Sequence, residues 1–344
     1  MSWLGNHAGP DLPEKDRPLA AIFSVAGEKL HDREKKLFRE ANPLGFILFK
    51  RNIESPPQIK SLTNELRDCV GRNCPVLVDQ EGGRVARLQP PVWQKYPAAD
   101  YFGDLFGIHK DFAKKEILET YGEIAADLVQ AGLDVNCAPV LDLKFPETHD
   151  AIGDRSYSGD PKIVTFCADF VCRAFLKKGI TPVIKHIPGH GRATVDSHTD
   201  LPEIHVSKED LCQSDFLPFR TIASRPYGKF VWGMTAHILY HALDKENPAS
   251  VSPMIHRDII RGELGFQGFL LSDDIEMKGL AAYGDVDKRC LDTLMAGTDA
   301  VLYCSGQFKM MEKLSAALPT LSDDSIKRLC PQIGEHTKTN RNDA

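Results

Sequence analysis

The sequence predicts an α/β fold, a single (β/α)8 TIM-type barrel with C-terminal helices. Eight short apolar runs alternate with amphipathic helical stretches, the pattern of parallel strands joined by helical crossovers. The runs are continuously apolar, which suits strands buried on both faces. In addition, Asp79, Asp142, His186, His237 and Asp273 each fall just past the C-terminal end of a different run, and a barrel gathers those ends at one mouth. A doubly wound sheet is the alternative fold, but no Gly-x-Gly-x-x-Gly follows the first run.

In chain order, residues 1–18 read as an N-terminal lead-in, polar and proline-containing. Leu19–Val25 is the first strand, followed by a charged helix over Glu28–Ala41. Gly45–Phe49 is the second strand, and Ser55-Pro56 opens the next helix with cap and first-turn proline in their usual order. Pro75–Val78 is the third strand, ending in Asp79-Gln80-Glu81-Gly82-Gly83-Arg84. A long helix over Phe112–Gln130 stops at Gly132, and Val135–Val140 is the fourth strand. Asp160-Pro161 caps a helix to Lys178, which leads into the fifth strand at Thr181–Ile184. Ser207 starts a helix before the sixth strand, Phe230–Met234, and Ser252-Pro253 another before the seventh, Gly268–Leu271. A helix over Val286–Ala296 precedes the eighth strand, Ala300–Tyr303. Two further helical stretches follow, so that the barrel domain spans 19–332 and residues 333–344 read as a disordered tail. No internal repeat or linker divides the chain.

Composition narrows the function. The 344 residues carry a net charge of −6 without basic or acidic blocks, so neither a nucleic-acid groove nor a membrane surface is expected. No apolar run approaches the roughly 20 residues of a membrane span. The N-terminus lacks the basic and apolar regions of a signal peptide. Nine cysteines without a Cys-x-x-Cys pair read as reduced thiols, which points to the cytoplasm.

The richest stretch is Lys185–Pro202, KHIPGHGRATVDSHTDLP. Pro188, Gly189 and Gly191 end the fifth strand in an irregular loop with a lysine, three histidines and two acids. Three chemistries compete for it. A polar surface loop is the plainest. A metal site on His186, His190 and His198 is the second, although Pro188 and Gly189 prevent the first two histidines from sharing a helix face. The third is acid–base chemistry. Asp196 and His198 are two apart, so an extended segment points them the same way, and a carboxylate on one imidazole nitrogen raises the basicity of the other. Elsewhere, Asp273 and Asp274 follow the seventh strand directly, and the pleat directs one of the two into the mouth. Together with Asp79, Arg87, Arg155, Lys185, His186 and Tyr157, such a mouth suits a polyhydroxylated ligand. Glycoside cleavage needs a carboxylate opposite a proton donor, for which Asp273 as nucleophile and His198 as acid–base are the candidates.

Four strings, VDQEGGRVAR (78–87), IGDRSY (152–157), KHIPGHGRATVDSH (185–198) and LSDDIEMKG (271–279), resemble the family 3 glycoside hydrolases. More narrowly, they resemble the single-domain β-N-acetylhexosaminidases of peptidoglycan recycling, the NagZ type. The resemblance runs over about residues 19 to 305. It implies that Asp273 is the nucleophile of a retaining mechanism, His198 the acid–base residue on a mobile loop and Asp196 its dyad partner. It further implies that Asp79, Arg87, Arg155, Lys185 and His186 hold the N-acetylglucosamine ring. The implied substrate is a small carbohydrate, GlcNAc-1,6-anhydro-MurNAc with or without its peptide, taken by a monomer with no cofactor, no metal, no nucleic acid and no membrane. One departure stands out: Arg192 occupies a position after PGHG where an acid is often found. His205 and His241 read as structural, and His237 either lines the mouth or packs. A phosphorylase using the same intermediate, a metal-dependent barrel hydrolase, and a sugar-binding protein without catalysis are the rival functions.

Overall fold

A computed structural model describes residues 3–4, 12–197 and 199–331. His198 and the expected tail over 333–344 therefore lie outside the described residues.

Eight parallel strands close into a barrel in chain order. They are β1 (Leu19–Phe23), β2 (Pro43–Leu48), β3 (Val76–Val78), β4 (Val135–Asn136), β5 (Thr181–Ile187), β6 (Trp232–Thr235), β7 (Leu270–Asp274) and β8 (Ala300–Leu302). Closure comes from β1 against β8, with Ala21 opposite Val301 and Ile22 opposite Leu302. The period of two sorts the apolar residues into two layers. Ala20, Ile22, Leu77, Val183, Trp232, Leu271 and Leu302 pack together inside the barrel. Ala21, Phe23, Val76, Val78, Ile184 and Leu270 face the surrounding helices. The barrel expectation is met, strand by strand.

Local differences have local causes. The fourth strand is shorter than expected: past Asn136 the bonds to β5 continue in shifted register, from the Val183 N–H to Ala138 O at 3.1 Å and from the Lys185 N–H to Pro139 O at 3.3 Å, while Pro139 has no N–H of its own to give. A helix over Ala99–Ile108, absent from the sequence reading, precedes the long helix Lys110–Ala131. In the lead-in, Trp3 and Leu4 are buried against the lower end of the barrel. The Trp3 ring meets Trp232 edge-on at 5.1 Å, beside Ile326 and Leu329 of the last helix, Asp323–Leu329. Buried Asp299 ties that helix to the barrel, accepting from Arg328, Arg261, Ser325 and the Leu270 N–H.

Candidate active site

The C-terminal ends of the strands enclose a cavity of about 280 Å³. Asp79, Arg87, Arg155, Lys185, His186, Asp196 and Asp273, seven of the eight residues expected at the site, line it. The eighth, His198, lies outside the described residues. Phe49, Met234 and Leu302 give the cavity an apolar side.

Its polar floor is a buried charge network. Asp79 follows β3 and accepts from Arg87 Nη2 at 3.0 Å and Lys185 Nζ at 3.1 Å. Lys185 Nζ also lies 2.6 Å from Glu81, which Arg155 holds with two bonds of 2.8 Å through Nε and Nη2. Two carboxylates and three cations thus share one site, and each buried charge has an opposite partner. The Gly82-Gly83 turn makes this geometry. Both glycines have positive φ, and a Cβ on Gly82 would meet Pro97 O at 2.2 Å. The turn folds Gln80–Gly82 back on Val85–Ala86, which brings Arg87 beside Asp79.

Burial opposes the charged form of Asp79, but Lys185 and Arg87 outweigh it and hold the carboxyl well below the usual range. Burial likewise opposes the charge on Glu81, yet Arg155 and Lys185 bring it down to about 2. For Lys185, burial favours the neutral amine, and the two carboxylates more than offset this and raise it. All of these groups are therefore charged at neutral pH. Arg87 Nε is buried and has no partner among the described residues, which leaves a donor for a ligand.

A second cluster orders the histidines. Asp142, past β4, accepts from the backbone N–H groups of His186 and His190 at 3.2 and 2.6 Å, and its other oxygen lies 2.6 Å from His186 Nδ1. That contact occupies Nδ1 and leaves Nε2 of the cavity-lining His186 for other partners. Burial and the adjacent His186 push His190 down to about 4, so its ring is neutral, and its Nε2 lies 3.2 Å from Ser197 Oγ.

Asp273 sits on β7 with the inward parity of Leu271, as the pleat predicts, and its Oδ1 accepts from the Asp274 N–H at 2.8 Å. Burial favours its protonated form, but His186, His237, that N–H and Lys185 together lower its pKa. It is therefore an ionised carboxylate at neutral pH on the border of the cavity. Asp274 also borders the cavity, and its Oδ1 accepts from the Glu276 and Cys304 N–H groups. Burial and the neighbouring Asp273 push it up to about 6. His237 does not line the cavity. It is buried, with Nε2 3.1 Å from Asp274 O and Nδ1 2.8 Å from Ser250 Oγ. A carbonyl only accepts, so the ring proton is on Nε2 and Ser250 donates to Nδ1. His237 thus braces the backbone beside Asp273.

The loop after β5 is fastened at several points. Tyr240 donates its hydroxyl to Gly189 O at 2.7 Å, the His149 N–H donates to Ala193 O at 3.0 Å, and the Gly279 N–H donates to Ser197 O at 3.2 Å. Arg192 crosses to the neighbouring helical segment, binding Asp215 at 2.7 Å and Ser214 at 3.0 Å, with its guanidinium 4.2 Å from the Phe145 ring centre.

Sequence reasoning missed Glu81, Asp142 as the partner of His186, and Cys304. Glu81 and Asp142 stood in view as strand-end acids, but their partners are remote in sequence. Tyr157 is corrected outright: its hydroxyl pairs with that of Tyr121 at 2.9 Å, away from the mouth. Among the described residues, no group of three metal-ligating side chains involves His186 or His190.

Residues 14–330 match the N-terminal domain of glycosyl hydrolase family 3. The chain is 32% identical over 309 residues to a β-hexosaminidase of Idiomarina loihiensis, covering 90% of each chain. It is 35% identical over 309 residues to a β-hexosaminidase of Pseudomonas aeruginosa, covering 90% of this chain and 89% of that one. It also superposes on the structure of NagZ from Neisseria gonorrhoeae in complex with N-trifluoroacetyl-D-glucosamine. There the TM-score is 0.79 at 27% identity, over 93% of this chain and 96% of that one.

Proposed function

The chain belongs to glycoside hydrolase family 3, among its β-hexosaminidases, and from that premise we propose that it removes terminal non-reducing β-N-acetylglucosamine from muropeptides with retention of configuration. The substrate is GlcNAc-1,6-anhydro-MurNAc, with or without its peptide, and the setting is cell-wall recycling in the cytoplasm by a monomeric enzyme. Among the described residues, no helix is long and apolar enough to cross a membrane.

In this reading Asp273 attacks the anomeric carbon and forms a covalent glycosyl-enzyme, while His198 protonates the departing glycosidic oxygen. His198, supported by Asp196, then takes a proton from water. The resulting hydroxide displaces Asp273 from the anomeric carbon and regenerates its carboxylate. Asp79, Arg87, Lys185 and His186 bind the sugar hydroxyl and acetamide groups, and Arg155 holds the floor through Glu81. The observation that carries the reading is that ionised Asp273 and the loop residue Asp196 border one cavity with the Asp79–Lys185–Arg87 floor. An N-acylated glucosamine in the gonococcal relative supports the choice of sugar.

The test is turnover of 4-nitrophenyl β-N-acetylglucosaminide by wild type and Asp273→Ala, with and without EDTA and phosphate. Activity that survives EDTA, ignores phosphate and is lost in the variant is expected. A rate that climbs with phosphate and yields a sugar 1-phosphate would make the protein a phosphorylase. Activity lost in EDTA but kept in Asp273→Ala would overturn the nucleophile assignment.

A further inference from the structure

We propose that Glu203, His205 and His241 form a surface site for a divalent transition-metal ion of the zinc class, separate from the catalytic mouth. The site is built from two short parallel strands, Glu203–Ile204 and Leu239–Tyr240, with Leu239 opposite Glu203 and Tyr240 opposite Ile204. The His241 N–H continues the ladder by donating to Ile204 O at 3.0 Å, which sets His241 beside His205. The period of two puts Glu203 and His205 on one face of their strand. On that face the two imidazoles stack, with ring centres 4.2 Å apart and planes 19° from parallel. A single oxygen, Glu203 Oε2, lies 2.7 Å from His241 Nε2 and 3.7 Å from His205 Nε2.

Three donor atoms therefore converge, all within 4.8 Å of one another. Zinc binds imidazole nitrogen at about 2.0–2.1 Å, which separates neighbouring donors of a tetrahedral ion by roughly 3.3 Å. Small side-chain rotations close that gap, and Glu203 and His205 are exposed and free of core packing. Two imidazoles and one carboxylate select zinc, nickel or copper over magnesium or calcium, which favour all-oxygen shells. Water completes the coordination. The ion would join the strand that leaves the Asp196 loop to the strand that follows His237, so it staples two segments of the barrel rim.

The test is calorimetric titration of the full chain, without an affinity tag, with zinc chloride, comparing wild type with a His205→Gln/His241→Gln variant. Any zinc that binds elsewhere on the protein is common to both proteins and drops out of the difference. Wild type is expected to bind one more equivalent than the variant, and zinc should raise its melting temperature further. Equal stoichiometry and equal shifts in melting temperature overturn the proposal. An unchanged metal-free melting temperature and unchanged aryl-glucosaminide turnover verify that the variant is folded. Glu203→Gln, which keeps both rings, should weaken the extra site at least tenfold, and unaltered affinity there would remove the carboxylate from the ligand set. A magnesium titration that reproduces the zinc result would overturn the transition-metal assignment.

Discussion

Arg155 grips Glu81 through two parallel bonds of 2.8 Å, and so holds in place the carboxylate that in turn holds Lys185. The pair joins segments 74 residues apart, and both side chains are largely buried. It fixes the floor on which Asp79 and Lys185 sit.

Removing one partner leaves uncompensated buried charge. Glu81→Gln leaves Arg155 and Lys185 facing each other across a neutral amide. Breaking a buried pair in this way typically costs about 3–5 kcal/mol. Urea denaturation of Glu81→Gln should show a loss of that size, and Arg155→Lys, which lacks the planar fork, a smaller one. A change below about 1 kcal/mol in Glu81→Gln, the range of exposed pairs, would mean that the network is solvated.

Much of this architecture was legible beforehand, and the remainder has a common cause. The eight strands were visible because each buries both faces and so carries its own apolar run. The pleat made an inward acid after the seventh strand legible, but it did not choose between Asp273 and Asp274, and both border the cavity. The Glu81–Arg155 pair and the bond between Asp142 and His186 were not, because no local spacing reveals contacts across 74 and 44 residues. Tyr157 misled for the opposite reason: its neighbours Arg155 and Ser156 are site-like, but its own side chain turns toward Tyr121. The burial of Trp3 depends on an open lower barrel end, which only closure of the strands creates.

Acid should act on the two groups of carboxylates in opposite senses. Asp79, Glu81 and Asp142 have lowered pKa values in the folded chain. Their contribution is fully present above the unfolded value near 4 and is lost as pH falls toward about 2. Asp274, raised to about 6, behaves in reverse. It favours the fold below about pH 4, and that contribution is lost as pH rises through 6, by up to roughly 3 kcal/mol. Asp274→Asn should therefore flatten the stability profile between pH 4 and 7 in denaturant titrations. A variant that follows the wild-type slope would show that Asp274 ionises at its ordinary value.

Arg192 should matter for the loop more than for the sugar. Its partner Asp215 is buried, and burial pushes that carboxyl up while Arg192 pulls it back down. Arg192→Ala leaves buried Asp215 with the Ser214 hydroxyl but no cation, and frees the segment that leads to Asp196. Limited proteolysis should then cut near the exposed Thr194 and Val195 several-fold faster than in wild type. Arg192→Lys, which retains the charge, should recover part of the protection. Equal cleavage rates in all three proteins would show that the bonds to the carbonyls of Gly189, Ala193 and Ser197 suffice without the guanidinium.

The proposed acid–base residue can be isolated from the nucleophile by varying the leaving group. A poor leaving group such as a sugar hydroxyl must be protonated as it departs, whereas 4-nitrophenolate departs with little help. Positioned general acid catalysis is typically worth about 10²–10⁴-fold. His198→Ala should therefore lower kcat/KM on a GlcNAc disaccharide by about that factor and spare the first step of the aryl glycoside. Once that step is fast and deglycosylation slow, the glycosyl-enzyme on Asp273 should accumulate and appear as a burst of nitrophenolate. Asp196→Asn should shift both readouts in the same direction but by less, since it removes a charge and leaves the imidazole itself in the chain. Equal losses on both substrates, with no burst, would remove His198 from proton transfer and leave the acid to be sought among the other groups that border the cavity.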